Sequence, residues 1–347
     1  MLSTESLRAL PKAELHRHLD GSVRLETIVD LARRHSLDLG VRSEAELRER
    51  ARVCSPQESL EEVIAGFTIT QKVLCCHEAI RRVAYENVED SWRDGVKLAE
   101  LRFAPSFTAA GKALVNDEII EAVLDGVAAG VERFGIEVGL IGILPRTAPP
   151  EVNRQATADL LRWARGPHPG AFRLCGFDLA DSETARPPED FVPLVDQARA
   201  AGLGITIHSG ENTTAAHVQR TLELFRPSRV GHGIQAWGDP EALRQLRDGG
   251  VLLEVCPTSN WLTRSVSSLE AHPLPALRRA GVRVSVNSDD PNLMGIDLVH
   301  EYRLCSRLYG FGVADFLALN RDAVTASFLP EEVRRRTLAK FFPSHAH

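Results

Sequence analysis

Short apolar runs of six to ten residues recur along the 347-residue chain, separated by longer stretches in which apolar positions return every three or four residues. The runs lie at 13–20, 96–105, 137–145, 173–180, 204–210, 229–234, 251–260 and 282–290, and they are rich in Val, Ile and Leu. Each has the length and β-branched content of a buried strand. Helical spacing fills the gaps at 78–95, 116–135, 188–202, 239–250 and 272–281, several of which close on a glycine suited to a helix C-terminus. Eight strand and helix units in about 290 residues predict an α/β fold, a (β/α)8 TIM barrel, with the segment from Ile296 onward packed as extra helices. Residues 36–67 are too long for a short strand-to-helix connection and are expected to hold helices over the barrel mouth. With no Ser/Gly-rich linker, composition break or internal repeat, residues 1–347 read as one domain.

Composition narrows the partners. Hydrophobic residues make up 44% and charged residues 25%, the ordinary balance of a globular chain with a large core. The net charge is −6, and Arg48, Arg50, Arg52 and Arg334 to Arg336 alternate with acidic neighbours instead of forming a stripe, which argues against nucleic acid. The first fifteen residues carry no basic region ahead of an apolar run, and no window approaches 18 apolar residues, so neither secretion nor membrane spanning is expected. The six cysteines form no CxxC pair, and the expectation is a cytoplasmic protein with reduced thiols, Cys175 and Cys256 being small core residues. Oligomeric state is left open.

The polar residues that interrupt the apolar runs collect at their ends, and in a barrel of this kind the C-terminal strand ends form the active face. His16 and His18 occupy alternate positions of the first run, so they project to one side, as two ligands of one metal must. Taken alone, that pair also reads as two partly exposed imidazoles. His208 closes the fifth run, His232 the sixth, and Asp289 with Asp290 the eighth. His16, His18, His208 and Asp289 together offer three imidazoles and a carboxylate, leaving a position for water on Zn2+, though such a set also accepts iron, cobalt or manganese. Asp290 should face away from Asp289 unless the strand bends there, and one aspartate can then bind metal while the other serves substrate or water. Glu211 by itself reads as a carboxylate favoured near a helix N-terminus. Asn212, His217 and Glu254 are taken as structural, Glu254 being a buried partner of some ligand that the sequence does not identify. His35, His77, His168, His272 and His300 are taken as structural as well.

"PKAELHRHLDGS" from Pro11, "HSGEN" from His208, "GHGI" from Gly231 and "NSDDP" from Asn287, in this order, resemble the adenosine deaminase family of zinc-dependent purine aminohydrolases, which includes adenine and aminodeoxyfutalosine deaminases. The likeness runs from about residue 10 to "SFLPEEVRRRTLAKFF" near the C-terminus. It implies a (β/α)8 barrel and one zinc per chain on His16, His18, His208 and Asp289. Glu211 is then the general acid/base, which protonates the purine N1, and His232 and Asp290 orient the attacking hydroxide. The implied reaction is hydrolytic deamination of a 6-aminopurine nucleoside to the 6-oxo product and ammonia, with a small-molecule substrate met by His18, Asp20 and Asp181.

Which purine is acted on depends on two positions. Nucleoside-acting members carry Asp where this chain has Asp20 and adenine-acting members tend to carry Glu, so Asp20 favours a nucleoside. Nucleoside deaminases usually have glycine at Asp181, with its backbone N–H on the purine N3, and here the chain departs from the pattern. Alternatives are free adenine and a 5′-modified adenosine such as 6-aminodeoxyfutalosine of menaquinone synthesis, for which Arg17, Arg102 and Arg146 are candidate partners of the added carboxylate. A metal-binding barrel without activity is the remote alternative. "RLCGFDLA" has no lysine to bridge two metals, and the HxE and PCxxC arrangement of cytidine-type zinc deaminases is absent.

Overall fold

The computed structural model describes residues 2–58, 62–63 and 66–343. Eight parallel strands follow one another in sequence order: β1 (Lys12–His18), β2 (Val96–Phe103), β3 (Glu137–Pro145), β4 (Leu174–Ala180), β5 (Gly204–Ser209), β6 (Arg229–His232), β7 (Leu252–Val255) and β8 (Arg283–Val286). The barrel closes between the first strand and the segment after β8. Arg17 bridges Asp289 in parallel fashion, His18 N donates to Asp289 O at 2.8 Å, and Asp289 N donates to His16 O at 3.1 Å. The chain is therefore a (β/α)8 TIM barrel, as the alternation of runs predicts.

The seventh run ends earlier than expected. Pro257 starts a helix, Pro257–Leu262, because proline fits the first helical turn and cannot extend a ladder. The expected C-terminal helices are Leu298–Tyr309, Val313–Ala326 and Glu331–Phe341. The last two close the bottom of the barrel, where Val324, Leu329 and Phe342 pack on Leu15, Leu98 and Leu252. Over the mouth, residues 36–67 contribute the helix Glu44–Arg50 and the start of Phe67–Val73, while residues 59–61 and 64–65 lie outside the described part. Among the described residues no helix is long and apolar enough to cross a membrane.

One strand pair matters for the site. β4 and β5 share a ladder only at Gly176 with Gly204 and Phe177 with Ile205. Beyond it the Asp178 carboxylate takes the His208 N–H at 3.3 Å, so a side chain supplies the bond that the diverging strands no longer make.

Candidate active site

The period of two along β1 sends His16 and His18 inward together and turns Arg17 the other way, where its Nε donates to Asn87 Oδ1 at 3.2 Å. His16 Nε2 and His18 Nε2 stand 3.3 Å apart, and Asp289 Oδ1 lies 3.2 Å from the first and 3.3 Å from the second. Donors held about 2.05 Å from a tetrahedral centre are about 3.3 Å from one another, so these three atoms occupy three corners of a zinc-sized site. The His208 ring completes the group, its centroid 4.6 Å from that of His16. Glycine at 231 makes room, since a Cβ there would lie 3.1 Å from His16 Cε1 and 3.2 Å from the His208 ring. His16, His18, His208 and Asp289 can thus hold the metal that their chemistry suits.

Carboxylates on other strands aim two of these rings. Glu254 on β7 takes His16 Nδ1 at 2.9 Å, and Asp178 on β4 takes His208 Nδ1 at 2.9 Å, which leaves each Nε2 lone pair free to face inward. Arg102 lies between them, with Nη2 on Glu254 at 2.6 Å and Nη1 on Asp178 at 2.7 Å, and Arg229 holds the other Glu254 oxygen at 2.6 Å. Burial alone would raise the Asp178 carboxyl, yet His208 and Arg102 hold it down at about 2. Burial lowers His208 to about 4, so the ring is neutral, as a ligand must be. Glu254 is the buried ligand partner that the sequence leaves without a counterpart, and its counterpart is His16. Asp178 is not among the residues that the sequence reading singles out, and its one signal is a lone acid inside the apolar "GFDLA" run.

Three residues at strand ends adopt positive φ without being glycine: Asp181 at 75°, His232 at 59° and Asp289 at 61°. Such strain persists where the surroundings impose it, often at functional sites. At Asp289 it bends the chain, so that Asp289 and Asp290 are both buried at the same site. Asp290 Oδ1 has no hydrogen-bond partner and sits against Gly21, where an added Cβ would lie 1.8 Å away. Gly21→Ala should therefore displace Asp290 while sparing the ligands, lowering kcat by about 10²-fold, the usual cost of a 1 Å misplacement. Steady-state kinetics alongside metal analysis checks this, and an unchanged kcat would remove Asp290 from the reacting centre.

Glu211 lies in the loop after β5, three residues ahead of Thr214, which caps the helix Ala215–Phe225, so it is not a helix-terminal carboxylate. Its backbone N–H and that of Gly210 donate to Glu183 at 2.9 and 2.7 Å, and Thr213 Oγ1 donates to the same carboxylate at 2.7 Å. Glu183 thus fixes the loop, a role the sequence does not reveal, because its partners lie about thirty residues ahead on a different strand connection. Burial pushes the Glu211 carboxyl well above its usual range, and Asp289 and Glu183 add to it. The shift favours the acid form, and Thr263 Oγ1 donates to Oε1 at 3.0 Å.

The proton on His232 can be placed from the bonds behind it. Leu274 N donates to His272 Nδ1 at 3.0 Å, so His272 carries its proton on Nε2 and gives it to Asn260 Oδ1 at 3.2 Å. The Asn260 amide nitrogen then donates to His232 Nδ1 at 3.0 Å, which puts the His232 proton on Nε2, facing Glu211 Oε2 at 3.5 Å and Asp289 Oδ2 at 3.7 Å. Burial keeps this ring neutral. His272, taken as structural from the sequence, sets the tautomer of a site residue.

Beside the donor cluster opens a cavity of about 380 Å³ lined by His18, Asp20, Phe67, Phe107, Thr147 and Asp181 among others. Asp20 Oδ2 accepts from Gln71 Nε2 at 3.1 Å. Asp181 has the left-handed backbone that explains a glycine preference, which aspartate tolerates better than most residues. Its carboxylate is tied to the Thr147 hydroxyl and, at 2.7 Å, to Ser182 N. Arg102 and Arg146 do not line this cavity. Both are fully or nearly buried, Arg146 donating to His208 O at 2.6 Å, and Arg17 is likewise committed elsewhere.

A family model described as adenosine deaminase matches residues 11–342. An adenosine deaminase of Shewanella loihica is 35% identical over 331 residues, 95% of this chain and 98% of that protein. Among solved structures, an adenine deaminase from Arthrobacter aurescens superposes with a TM-score of 0.87 at 27% identity, covering 96% of this chain and 98% of the other. An N6-mAMP deaminase from Arabidopsis superposes with a TM-score of 0.84 at 29% identity, covering 97% and 99%.

Proposed function

The chain belongs to the adenosine deaminase family of hydrolytic aminohydrolases, and from that premise we propose that it deaminates a 6-aminopurine nucleoside, adenosine or a close relative, to the 6-oxo purine and ammonia. The observation that carries this reading is the buried Glu211 carboxyl beside His232 and the inward-facing metal donors, at a cavity that also holds Asp20. Residues 1–347 act as one unit, and His16, His18, His208 and Asp289 hold one zinc. A zinc ion bound there would supply Lewis acidity, which lowers the pKa of a water from about 15.7 to roughly 7.

The protein groups do the rest. Attack at C6 breaks the aromaticity of the ring, so N1 must gain a proton, and Glu211 is placed to give it. His232 donates from Nε2 to the attacking oxygen, and Asp290, whose Oδ1 is otherwise unpartnered, accepts from it and fixes its line of approach. The first proton that the water loses restores Glu211 once its own has gone to N1, the remaining hydroxyl proton leaves with the amine, and ammonia departs as C6 becomes a carbonyl. His18 and Asp181 border the base, and Asp20 accepts from a ribose hydroxyl.

A panel of adenosine, 2′-deoxyadenosine, adenine and 5′-extended adenosines tests the reading. Wild type should prefer adenosine to adenine by a wide margin in kcat/KM. Asp20→Ala should lose about 1.5–3 kcal/mol of transition-state binding towards the nucleoside and almost none towards adenine. Faster turnover of adenine than of every nucleoside would transfer the assignment to free adenine. Activity confined to an anionic 5′-extended substrate would point past Gln71 to Lys112, whose Nζ bonds Gln71 Oε1 at 3.3 Å, and not to an arginine. Release of ammonia from none of them would leave a metal-binding barrel without this activity.

A further inference from the structure

A second cluster of metal-ligating groups lies outside the reacting centre. His35 caps the C-terminus of the helix Leu25–Arg34, and Cys75 and Cys76 form the turn between the helices Phe67–Val73 and His77–Arg93. The three segments meet over the barrel mouth, and the donor atoms of His35, Cys75 and Cys76 all lie within 4.8 Å of one another. Cys76 Sγ is 3.7 Å from His35 Nε2.

We infer that His35, Cys75 and Cys76 form a second metal site, separate from the reacting centre, for a thiophilic cation of the zinc or cadmium kind. With Zn–S near 2.3 Å and Zn–N near 2.05 Å, a tetrahedral centre places sulfur about 3.6 Å from nitrogen and about 3.8 Å from a second sulfur. The cluster is within a small rotamer adjustment of that geometry. Two sulfurs and an imidazole select zinc, cadmium or copper(I) over magnesium or calcium, and a solvent molecule completes four-coordination. All three residues are half-buried and both cysteines are free, so the donors are reachable yet positioned. Cys76 also occupies the N-cap of a 17-residue helix without making a capping bond, so its sulfur is not committed to that helix end.

The position gives the site a consequence. Cys75 lines a cavity of about 730 Å³ together with Gln71, Lys112 and Phe107, and Phe107 also lines the substrate cavity. Gln71 on the helix Phe67–Val73 bonds Asp20. A cation on the cluster therefore ties the helix Leu25–Arg34 to the turn that follows the helix touching the sugar side of the pocket. Binding to the folded state alone should raise the melting temperature.

The test uses the full-length metal-loaded enzyme in a non-thiol reductant, titrated with Cd2+ while the ultraviolet thiolate-to-cadmium charge-transfer band and bound metal are followed. The expected result is one further equivalent per chain, a thiolate band, and an upward shift in melting temperature. Cys75→Ser/Cys76→Ser should lose the band, the equivalent and the shift while keeping deamination, and His35→Ala should lose the extra equivalent. Cys256→Ser separates the two sites, because Cys256 Sγ is within 4.8 Å of the His16 and Asp289 donor atoms and is the thiol that cadmium at the reacting centre would meet. A band that survives in the double variant, one that disappears only in Cys256→Ser, or total bound metal that stays at one equivalent per chain would overturn the inference.

Discussion

Glu211→Gln should lower kcat by about 10²–10⁴-fold, the range that a positioned general acid contributes, while metal content stays at the wild-type level. Glutamine keeps the volume and can still accept from Thr263 Oγ1, which donates to Oε1 at 3.0 Å in the wild type. The loop is held by Glu183 through backbone N–H groups, so it does not depend on the Glu211 side chain. What is lost is a carboxyl able to transfer a proton, whose proton affinity burial, Asp289 and Glu183 raise. Rapid-mixing kinetics and elemental analysis on the same preparation decide the matter. Turnover within a factor of a few of wild type would take Glu211 out of the reaction.

His16→Ala and Asp289→Ala should each remove bound metal together with activity. Each deletes one of three donor atoms that stand 3.2–3.3 Å apart, and a site left with two corners of that set loses its grip. His16→Ala should still fold, because Glu254 retains Arg102 at 2.6 Å and Arg229 at 2.6 Å when the imidazole goes. Loss of several kcal/mol of transition-state stabilisation corresponds to a fall of about 10³-fold or more in kcat/KM. Full metal occupancy in both purified variants would sink the ligand assignment.

The contrast between these ligands and their supports says what can be read before a structure exists. Strands, helices and their order follow from local periodicity, since a buried parallel strand must be apolar and a helix covering it must be amphipathic, and both conditions act over a few residues. The donors were legible for the same reason: a polar residue at the end of an apolar run has a position on the barrel as soon as the run is recognised. His16, His18, His208 and Asp289, with His232 beside them, are residues that the sequence places at strand ends and the fold gathers at one point, while the proposed role of Glu211 came from the motif resemblance.

Other features required the closed barrel. Whether Asp290 faces the site depended on a positive φ at Asp289, which no pattern of side chains announces. The partner of Glu254 is 238 residues away on the adjoining side of the barrel, and the tautomer of His232 is set from Leu274 through His272 and Asn260. Arg17, Arg102 and Arg146 sit near strand ends in the sequence, yet the fold spends all three on buried partners and leaves Lys112 as the cation beyond Gln71. By itself the sequence determined the barrel and the residue types at its active face, because hydrophobic burial is written in local spacing. Orientation, proton placement and the buried charge pairs were decided by tertiary structure alone, because each depends on distances between strands that the chain brings together only when the barrel closes.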